Sequence, residues 1–429
     1  MKKKYRIILY TSIFLLCVVA SIILVVKKSN SVYEEESKPK VVKHKSMLSM
    51  NLEQTAGSGD YKTVTQSSWP TEGYKFNAEL SKCENGSTLS WDDTKKAVIV
   101  SGNLSDKCYV YFDIYQPTLA EYIKSQYTGT QGENNIYYHD SDLANGAGDN
   151  SYRYAGANPN NFVCFGSDTS PCPTDNLYRI IGVFGENYHG VTGKQLVKLI
   201  KYDYMTTDEL GTDGDYSQTY KEWGMDSTYK GTYGDGERIG VYYWNYKATG
   251  SATNTWSTSL LNKTNLNTNF INNIGTTWAN KIATVTWKVG GNTYANISDV
   301  VPATTYQNEI VNPVTTNTTD NATTYSAKLG LMYVSDYGFA ASPDAWTLTM
   351  SSYNNTTATN NNWMYMGLYE WTFSRNAGTS DRAFYVNYDG SVDGDNVGGY
   401  DGVRASFSLE SSVSYVSGSG SMSDPIVIN

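Results

Sequence analysis

The chain has 429 residues, and the usual domain size of roughly 150 residues predicts two or three domains. An apolar content of 40% can form a hydrophobic core, which excludes a wholly disordered chain. Only 17% of the residues are charged, against about 25% in an ordinary soluble domain, while Tyr and Gly each occur 37 times. Residues 1–28 carry six Lys and Arg, which leaves 27 basic against 42 acidic residues, a net charge of −15, for the rest. No nucleic acid is therefore expected as a partner.

The amino-terminal segment has the pattern of a membrane anchor. Residues 7–26 form an uncharged, mostly apolar run, long enough as a helix to cross a hydrocarbon core of about 30 Å. More basic residues precede the run than follow it, which predicts an amino terminus inside the cell and an extracellular carboxyl-terminal domain. A cleaved signal peptide is the alternative, but its apolar region is usually about 7–15 residues long. We therefore expect residues 1–28 to be a cytoplasmic tip and single-pass anchor, with the cell membrane as a partner.

Four cysteines follow the apolar run, at Cys83, Cys108, Cys164 and Cys172. They allow three pairings, among which the sequence alone does not choose. Proximity along the chain favours Cys83 with Cys108 and Cys164 with Cys172. Free thiols and a zinc site are the alternatives, although no CxxC occurs and the chain has only three histidines. Disulfides would agree with an extracytoplasmic location.

The composition changes after the apolar run. Residues 29–70 are charged and then rich in Ser, Gly and Thr, which predicts a flexible spacer. Residues 71–116 contain three strand-like runs, at 89–91, 97–100 and 109–114, separated by turn residues. Because so short a segment buries little surface, we expect a small β module stapled by Cys83–Cys108.

The remaining chain is predicted to be α+β, with one or two helices, short antiparallel strands and long polar loops. Residues 117–161 are a short helix and a connecting segment, since Thr118 and Glu121 have capping-box spacing. Residues 162–429 form the large domain. Apolar residues at every fourth position predict one amphipathic helix, and these are Leu266, Phe270, Ile274, Trp278 and Ile282. The strand-like runs are residues 177–184, 196–202, 284–289, 329–334, 383–387 and 403–409, the first two joined as a hairpin.

An ordered set of motifs runs through the chain. These motifs are CENGSTLSWD, DKCYVYFD, YRIIGVF, KLGLMYVSDYGFA, NWMYMGLYEWTFSR, AFYVNYDGSV, GVRASFSL and GSGSMSDPIVIN. Together they resemble bacterial membrane-anchored surface proteins whose carboxyl-terminal domain is C-type-lectin-like and related to formylglycine-generating enzymes. The resemblance covers roughly residues 71–429 and implies a C-type-lectin-like domain over 162–429. It departs at Ala405, where the family usually has Pro.

The resemblance also implies roles for single residues. The Arg of the GVR motif is usually buried and structural in that fold, so Arg404 is expected to have this role. Trp363 and Trp371 are expected in the core. Oxidases of the formylglycine-generating kind use two cysteines near the carboxyl terminus as copper ligands, whereas this chain has no cysteine after Cys172.

Other catalytic arrangements find little support in the sequence. The three histidines lie in polar, loop-like settings, and His189 is expected to be an exposed loop residue. No pair among the 42 acids stands out as the carboxylates of a glycoside hydrolase. No catalytic residue is predicted, and we expect a protein that is not an enzyme.

The segment DGSVDGDNVGGYDG holds the best metal candidates, Asp389, Asp393, Asp395 and Asp401. Their carboxylates within a Gly-rich loop suit a hard cation such as calcium, although the spacing is not that of an EF-hand. Asp and Gly are also the residues of tight turns, so a solvated turn is the preferred interpretation. No other cofactor is expected.

Aromatic side chains give the strongest indication of binding. The candidate ligand contacts are Tyr365, Tyr369, Arg375, Arg382, Tyr385 and Tyr388. Phenols beside neutral amides suit sugar stacking and protein recognition. The sequence thus predicts a non-enzymatic cell-surface binding or adhesion protein for a glycan or protein ligand. The alternatives are a cell-envelope enzyme, either a hydrolase or an oxidase-like relative, and a structural subunit of an envelope assembly.

Overall fold

The computed structural model describes residues 48–429, except for 66–67, 71–72, 104, 186–188, 191, 215–217, 220–228, 235, 248–250, 291 and 314–321. The chain divides into two compact units, one ending at Tyr115 and one beginning at Gln116. Both contain sheets, and the second also contains helices, so the fold is α+β.

The predicted membrane anchor requires a correction. Among the described residues, no helix has both the length and the apolar character needed to cross a bilayer. The run 7–26 on which the prediction depended lies outside the described residues. A fold class that includes a single transmembrane helix, and a single-pass location in the cell membrane, are therefore not supported.

The first unit is a four-stranded sheet with a separate hairpin. Its strands are β1 Leu48–Glu53, β2 Tyr61–Val64, β3 Tyr74–Cys83, β4 Thr88–Asp92, β5 Ala97–Ser101 and β6 Cys108–Ile114. The sheet order is β2-β1-β6-β3, with β1 parallel to β6, and β4 pairs with β5. Alternate residues of β6 are buried, as expected of a strand with one face on a core, and Phe112 contacts the rings of Trp69, Phe76 and Trp91. Strands β1 and β2 lie within the predicted spacer 29–70.

Both predicted disulfides are confirmed. Cys83 and Cys108 are directly opposite each other in the β3–β6 pair, which brings their sulfur atoms into bonding distance. In the second unit, Cys164 and Cys172 are bonded across a separation of eight residues.

The second unit contains the remaining strands. They are β7 Ile136–His139, β8 Ser151–Tyr154, β9 Phe162–Cys164, β10 Leu177–Phe184, β11 Leu196–Lys201, β12 Gln218–Thr219, β13 Arg238–Ile239, β14 Val241–Tyr243, β15 Val285–Lys288, β16 Thr324–Ala327, β17 Leu329–Gly330, β18 Glu370–Arg375, β19 Arg382–Val386, β20 Val392–Asn396, β21 Tyr400–Gly402, β22 Ser406–Ser408, β23 Tyr415–Ser417 and β24 Val427–Ile428. The largest sheet has the order β17-β22-β11-β10-β8-β7, with β9 also paired to β10. The predicted hairpin of β10 and β11 is confirmed.

This sheet is buried on both faces. Every residue of β10 and β11 is buried, which explains why their apolar runs are nearly continuous rather than alternating. Ile180 and Leu199 belong to one core cluster, whereas Ile181 and Ile200 belong to another. Since successive side chains point to opposite faces of a strand, the sheet separates two layers of packed side chains.

A five-stranded sheet of order β14-β21-β18-β19-β20 carries most of the residues predicted for the site. Strands β18, β19 and β20 form an antiparallel meander, and β21 pairs with both β14 and β18. Three further pairs, β12–β13, β15–β16 and β23–β24, complete the strands of the described chain.

The second unit has more helices than the one or two expected. The α-helices are α1 Leu119–Ser125, α2 Thr207–Leu210, α3 Ile271–Asn273, α4 Gly275–Ala279, α5 Tyr294–Ile297, α6 Pro302–Tyr306, α7 Val334–Ala340 and α8 Thr356–Asn360. Residues Leu261–Phe270 and Gln307–Val311 are π-helical, and Glu133–Asn135, Thr174–Asn176, Trp256–Thr258, Pro343–Ala345 and Met350–Ser352 are short 3₁₀ turns. The capping box of Thr118 and Glu121 is present at α1. The run 329–334 is strand only over β17, and α7 begins at its end.

Candidate functional site

Two buried tryptophans support the segment that leads into the site. Trp371 on β18 is completely buried, and its Nε1 donates to the carbonyl of Tyr242 over 2.7 Å. Trp363 is also buried, and its Nε1 donates to the carbonyl of Tyr154 over 2.8 Å. Because each indole is both packed and hydrogen-bonded, the backbone between the two residues is held in place.

Arg404 and Glu370 tie the same segment to the strand that follows. Both side chains are buried, and the guanidinium forms an ion pair with the carboxylate. Nη2 of Arg404 also donates to the carbonyl of Met364 over 2.7 Å. Burial raises the pKa of Glu370, and the charge of Arg404 opposes that rise. Arg404 lines none of the three cavities described below.

Three tyrosines and two carboxylates surround a cavity of about 430 Å³, which we call the acidic tyrosine cavity. Its lining residues are Tyr369, Tyr385, Asp395, Gly399, Tyr400 and Asp401. Tyr369 directly precedes β18 and Gly399 directly precedes β21, whereas the other four residues lie on β19, β20 and β21. The ring centroids of Tyr369 and Tyr385 are 5.8 Å apart, so the two rings are in contact.

Asp401 is the most deeply placed of these residues. It is 6% exposed, and its Oδ2 has no hydrogen-bond partner among the described residues. Burial raises the pKa of Asp401 well above its ordinary range, and the charge of Asp395 adds to the rise. Burial likewise raises the pKa of Tyr369 and of Tyr385, so their phenols remain neutral near pH 7.

A second cavity, of about 670 Å³, adjoins the preceding part of the same segment, and we call it the basic cavity. Trp363, Tyr365 and Met366 line it, together with Arg179 and Lys230. None of the described residues that line it is acidic. Residues 363–369 therefore contribute to two cavities of opposite charge.

The cations of the basic cavity are held by neutral groups. The guanidinium of Arg179 lies 4.3 Å from the ring of Phe162 and 4.7 Å from that of Trp363, and its Nε donates to Asn161. Lys230 lies 4.4 Å from the ring of Tyr365. Burial lowers the pKa of Arg179 to about 9. Arg179 was not predicted from the sequence as a site residue. The signal that could have indicated it is a charged residue inside the otherwise apolar run of β10.

The other predicted ligand contacts are dispersed. Arg375 is buried, and its Nε donates to the carbonyl of Val289 over 2.6 Å. Arg382 is exposed and donates to the carbonyl of Gly394. Tyr388 is 38% exposed, and its ring lies 5.5 Å from that of Tyr369, beside the acidic tyrosine cavity.

Of the four predicted metal ligands, Asp389 lies in a turn, Asp393 and Asp395 lie on β20, and Asp401 lies on β21. Oδ1 of Asp389 accepts hydrogen bonds from the backbone and hydroxyl of Ser391, and Asp393 and Asp395 each accept one from the next backbone N–H. Only Asp395 and Asp401 line a common cavity. In the part of the chain that the structure describes, no group of three or more Asp, Glu, His or Cys side chains is placed to hold a metal ion.

The expectation that His189 is an exposed loop residue is wrong. Its side chain is 10% exposed, and Nε2 lies 2.9 Å from Oδ2 of Asp149 and 3.2 Å from the hydroxyl of Tyr306. Burial lowers its pKa. The adjoining cavity measures about 20 Å³, room for roughly one water, so this pair has no space for a substrate. His139 is completely buried, and His44 lies outside the described residues.

Comparison of the chain with protein-family models, with curated proteins and with solved structures finds no match. The inference of function therefore depends on the two cavities and on the residues that line them.

Proposed function

We propose that this chain is a non-enzymatic binding protein, with a C-type-lectin-like domain over residues 162–429, that recognises a glycan or a protein at its acidic tyrosine and basic cavities. The observation that carries the proposal is the set of tyrosines, Tyr365, Tyr369, Tyr385 and Tyr400, that line two cavities joined by one segment. Tyrosine provides a large contact area and a hydroxyl at a low cost in side-chain entropy.

The surroundings of the cavities favour recognition by a preformed surface. The backbone of residues 363–371 is conformationally restricted by Trp363, Trp371 and the Arg404–Glu370 ion pair. A site that is already ordered loses less entropy when a ligand binds, so its contacts contribute more to affinity.

A hydrolase is the second candidate, and the pair Asp395 and Asp401 favours it. Two carboxyl groups in different environments are what general acid–base hydrolysis of a sugar requires, and burial raises the pKa of Asp401. If the wild type hydrolyses an oligosaccharide and Asp401→Asn does not, the chain is an enzyme and not a binding protein.

Glycan and protein arrays probed with the oxidised full chain test the proposal. We expect a ligand whose affinity falls at least about tenfold in Tyr369→Ala and in Tyr385→Ala, because central aromatic contacts dominate binding energy. Tyr138→Ala, on β7 and outside both cavities, is the matched control and should bind as the wild type does. Absence of any ligand, or ligand loss in the control alone, would refute the proposal.

A further inference from the structure

The lining of the acidic tyrosine cavity contains acidic residues but no basic residue among those described. The acidic residues are Asp395 and Asp401. Arg382 begins β19, the strand that carries Tyr385, but it donates to the carbonyl of Gly394 and does not line the cavity. A ligand that enters this cavity therefore meets negative charge without a compensating positive charge from its lining.

Asp401 is the residue at which this negative charge lacks a partner. Its carboxylate is more than nine-tenths buried, and Oδ2 lacks a partner among the described residues. Buried charges in folded proteins are normally paired, because an unpaired charge loses the solvation that it had in water. The pKa of Asp401 is raised for the same reason, with Asp395 adding to the effect. A cation beside the carboxyl group of Asp401 would supply the missing counter-charge.

The tyrosines restrict what kind of cation fits. Aromatic faces attract organic cations and also pack against the alkyl stem that carries an ammonium group. A metal ion fits less well, because no third acidic, His or Cys side chain joins the two carboxylates within the described residues. A sugar hydroxyl would satisfy the hydrogen bonding of a protonated Asp401, but it would bring no positive charge to the two carboxyl groups.

We infer that the acidic tyrosine cavity binds a lysine side chain of a partner protein, with the ammonium group against Asp401 and the alkyl stem among Tyr369, Tyr385 and Tyr400. This inference rests on the proposed binding function and names the chemistry of its ligand. Asp395 adds negative charge at the same cavity and strengthens the attraction.

The direct test is an NMR titration of the oxidised full chain with Nα-acetyl-lysine N-methylamide. The uncharged isostere, Nα-acetyl-norleucine N-methylamide, has the same stem without the ammonium group, and we expect it to bind at least about tenfold more weakly. Asp401→Asn should lower the affinity for the lysine amide by about tenfold or more. Asp344→Asn, which removes an exposed carboxylate that does not line the cavity, should leave it within about twofold.

A second variant keeps the test decisive if Asp401→Asn does not fold. Asp395 is less buried than Asp401, so the Asp395→Asn variant should fold. Its affinity for the lysine amide should be several-fold lower than that of the wild type. Equal affinity for the two amides, unchanged affinity in both Asp variants, or tighter binding of glucosamine than of the lysine amide would overturn the inference. An array ligand that binds equally well to wild type and Asp401→Asn would overturn it while leaving the binding function intact.

Discussion

The guanidinium of Arg404 and the carboxylate of Glu370 face each other in two parallel hydrogen bonds, Nε to Oε1 and Nη2 to Oε2, each 2.8 Å long. Glu370 directly follows Tyr369, and Arg404 lies three residues after Asp401. The pair therefore fixes the relative position of two lining residues of the acidic tyrosine cavity. The ion pair has a structural role, and it determines the geometry of the site.

Glu370→Gln should destabilise the second unit by about 3–5 kcal/mol, because it leaves the charge of Arg404 buried without a counter-charge. Urea unfolding, monitored by hydrogen exchange of the backbone amides of β18, measures the loss of unfolding free energy. Glu84→Gln, which breaks the solvent-exposed pair with Lys107, is the control and should change stability little. Similar effects of the two substitutions would contradict the structural role of Arg404.

The two disulfides should differ in their contribution to stability. Loop-closure entropy predicts a loss of about 3.5 kcal/mol when Cys83 and Cys108, 25 residues apart, are replaced by Ala. The same estimate for Cys164 and Cys172, eight residues apart, is about 2.5 kcal/mol. Chemical unfolding of each double variant measures the difference. A larger loss from the shorter loop would show that chain entropy is not the dominant cause.

The stability of the second unit should fall as pH rises through the titration of Glu309. Burial raises the pKa of Glu309 from 4.5 to about 7, so the folded protein holds its proton over a range where the unfolded chain has released it. The stabilising effect is complete below about pH 4.5 and is lost by about pH 7, a change on the order of 3 kcal/mol.

Glu309→Gln isolates this effect. The variant cannot titrate at this position, so the difference in unfolding free energy between wild type and variant should change by the same amount between pH 5 and pH 8. Urea unfolding at both pH values measures it. Parallel pH profiles for the two proteins would mean that Glu309 does not hold its proton in the folded state.

Binding of the lysine amide should strengthen as pH rises. Burial and Asp395 raise the pKa of Asp401, so the free protein holds a proton there that an entering ammonium group must displace. The other groups around the cavity are the phenols of Tyr369, Tyr385 and Tyr400, and lysine itself stays charged up to about pH 10. NMR titrations over a pH series measure the trend. Affinity that is independent of pH in the wild type, or that keeps its pH dependence in Asp401→Asn, would contradict this linkage.

Local patterns predicted the local structure well. Thr118 and Glu121 gave the start of α1, continuous apolar runs gave β10 and β11, and neighbouring cysteines gave both disulfides. The segment around Tyr333 and Val334 was predicted as strand because aromatic and β-branched residues favour strands. In the structure, the carboxylate of Asp336 accepts the backbone N–H of Tyr333 and helix α7 begins there.

The site was predictable only in part. Tyr369, Tyr385, Asp395 and Asp401 lie close enough in sequence to be noticed together. The environment of Arg179 depends on Trp363, which is 184 residues away, and the contact of His189 with Asp149 spans 40 residues. No local pattern encodes contacts of this separation, so burial and pairing at these positions became visible only in the folded chain.

A crystal structure of the oxidised full chain with its tightest array ligand tests the central claim most directly. We expect an intact ligand that contacts Tyr369 and Tyr385, with a positively charged group beside the carboxyl group of Asp401. A ligand bound away from both cavities, or cleaved product within the acidic tyrosine cavity, would contradict it.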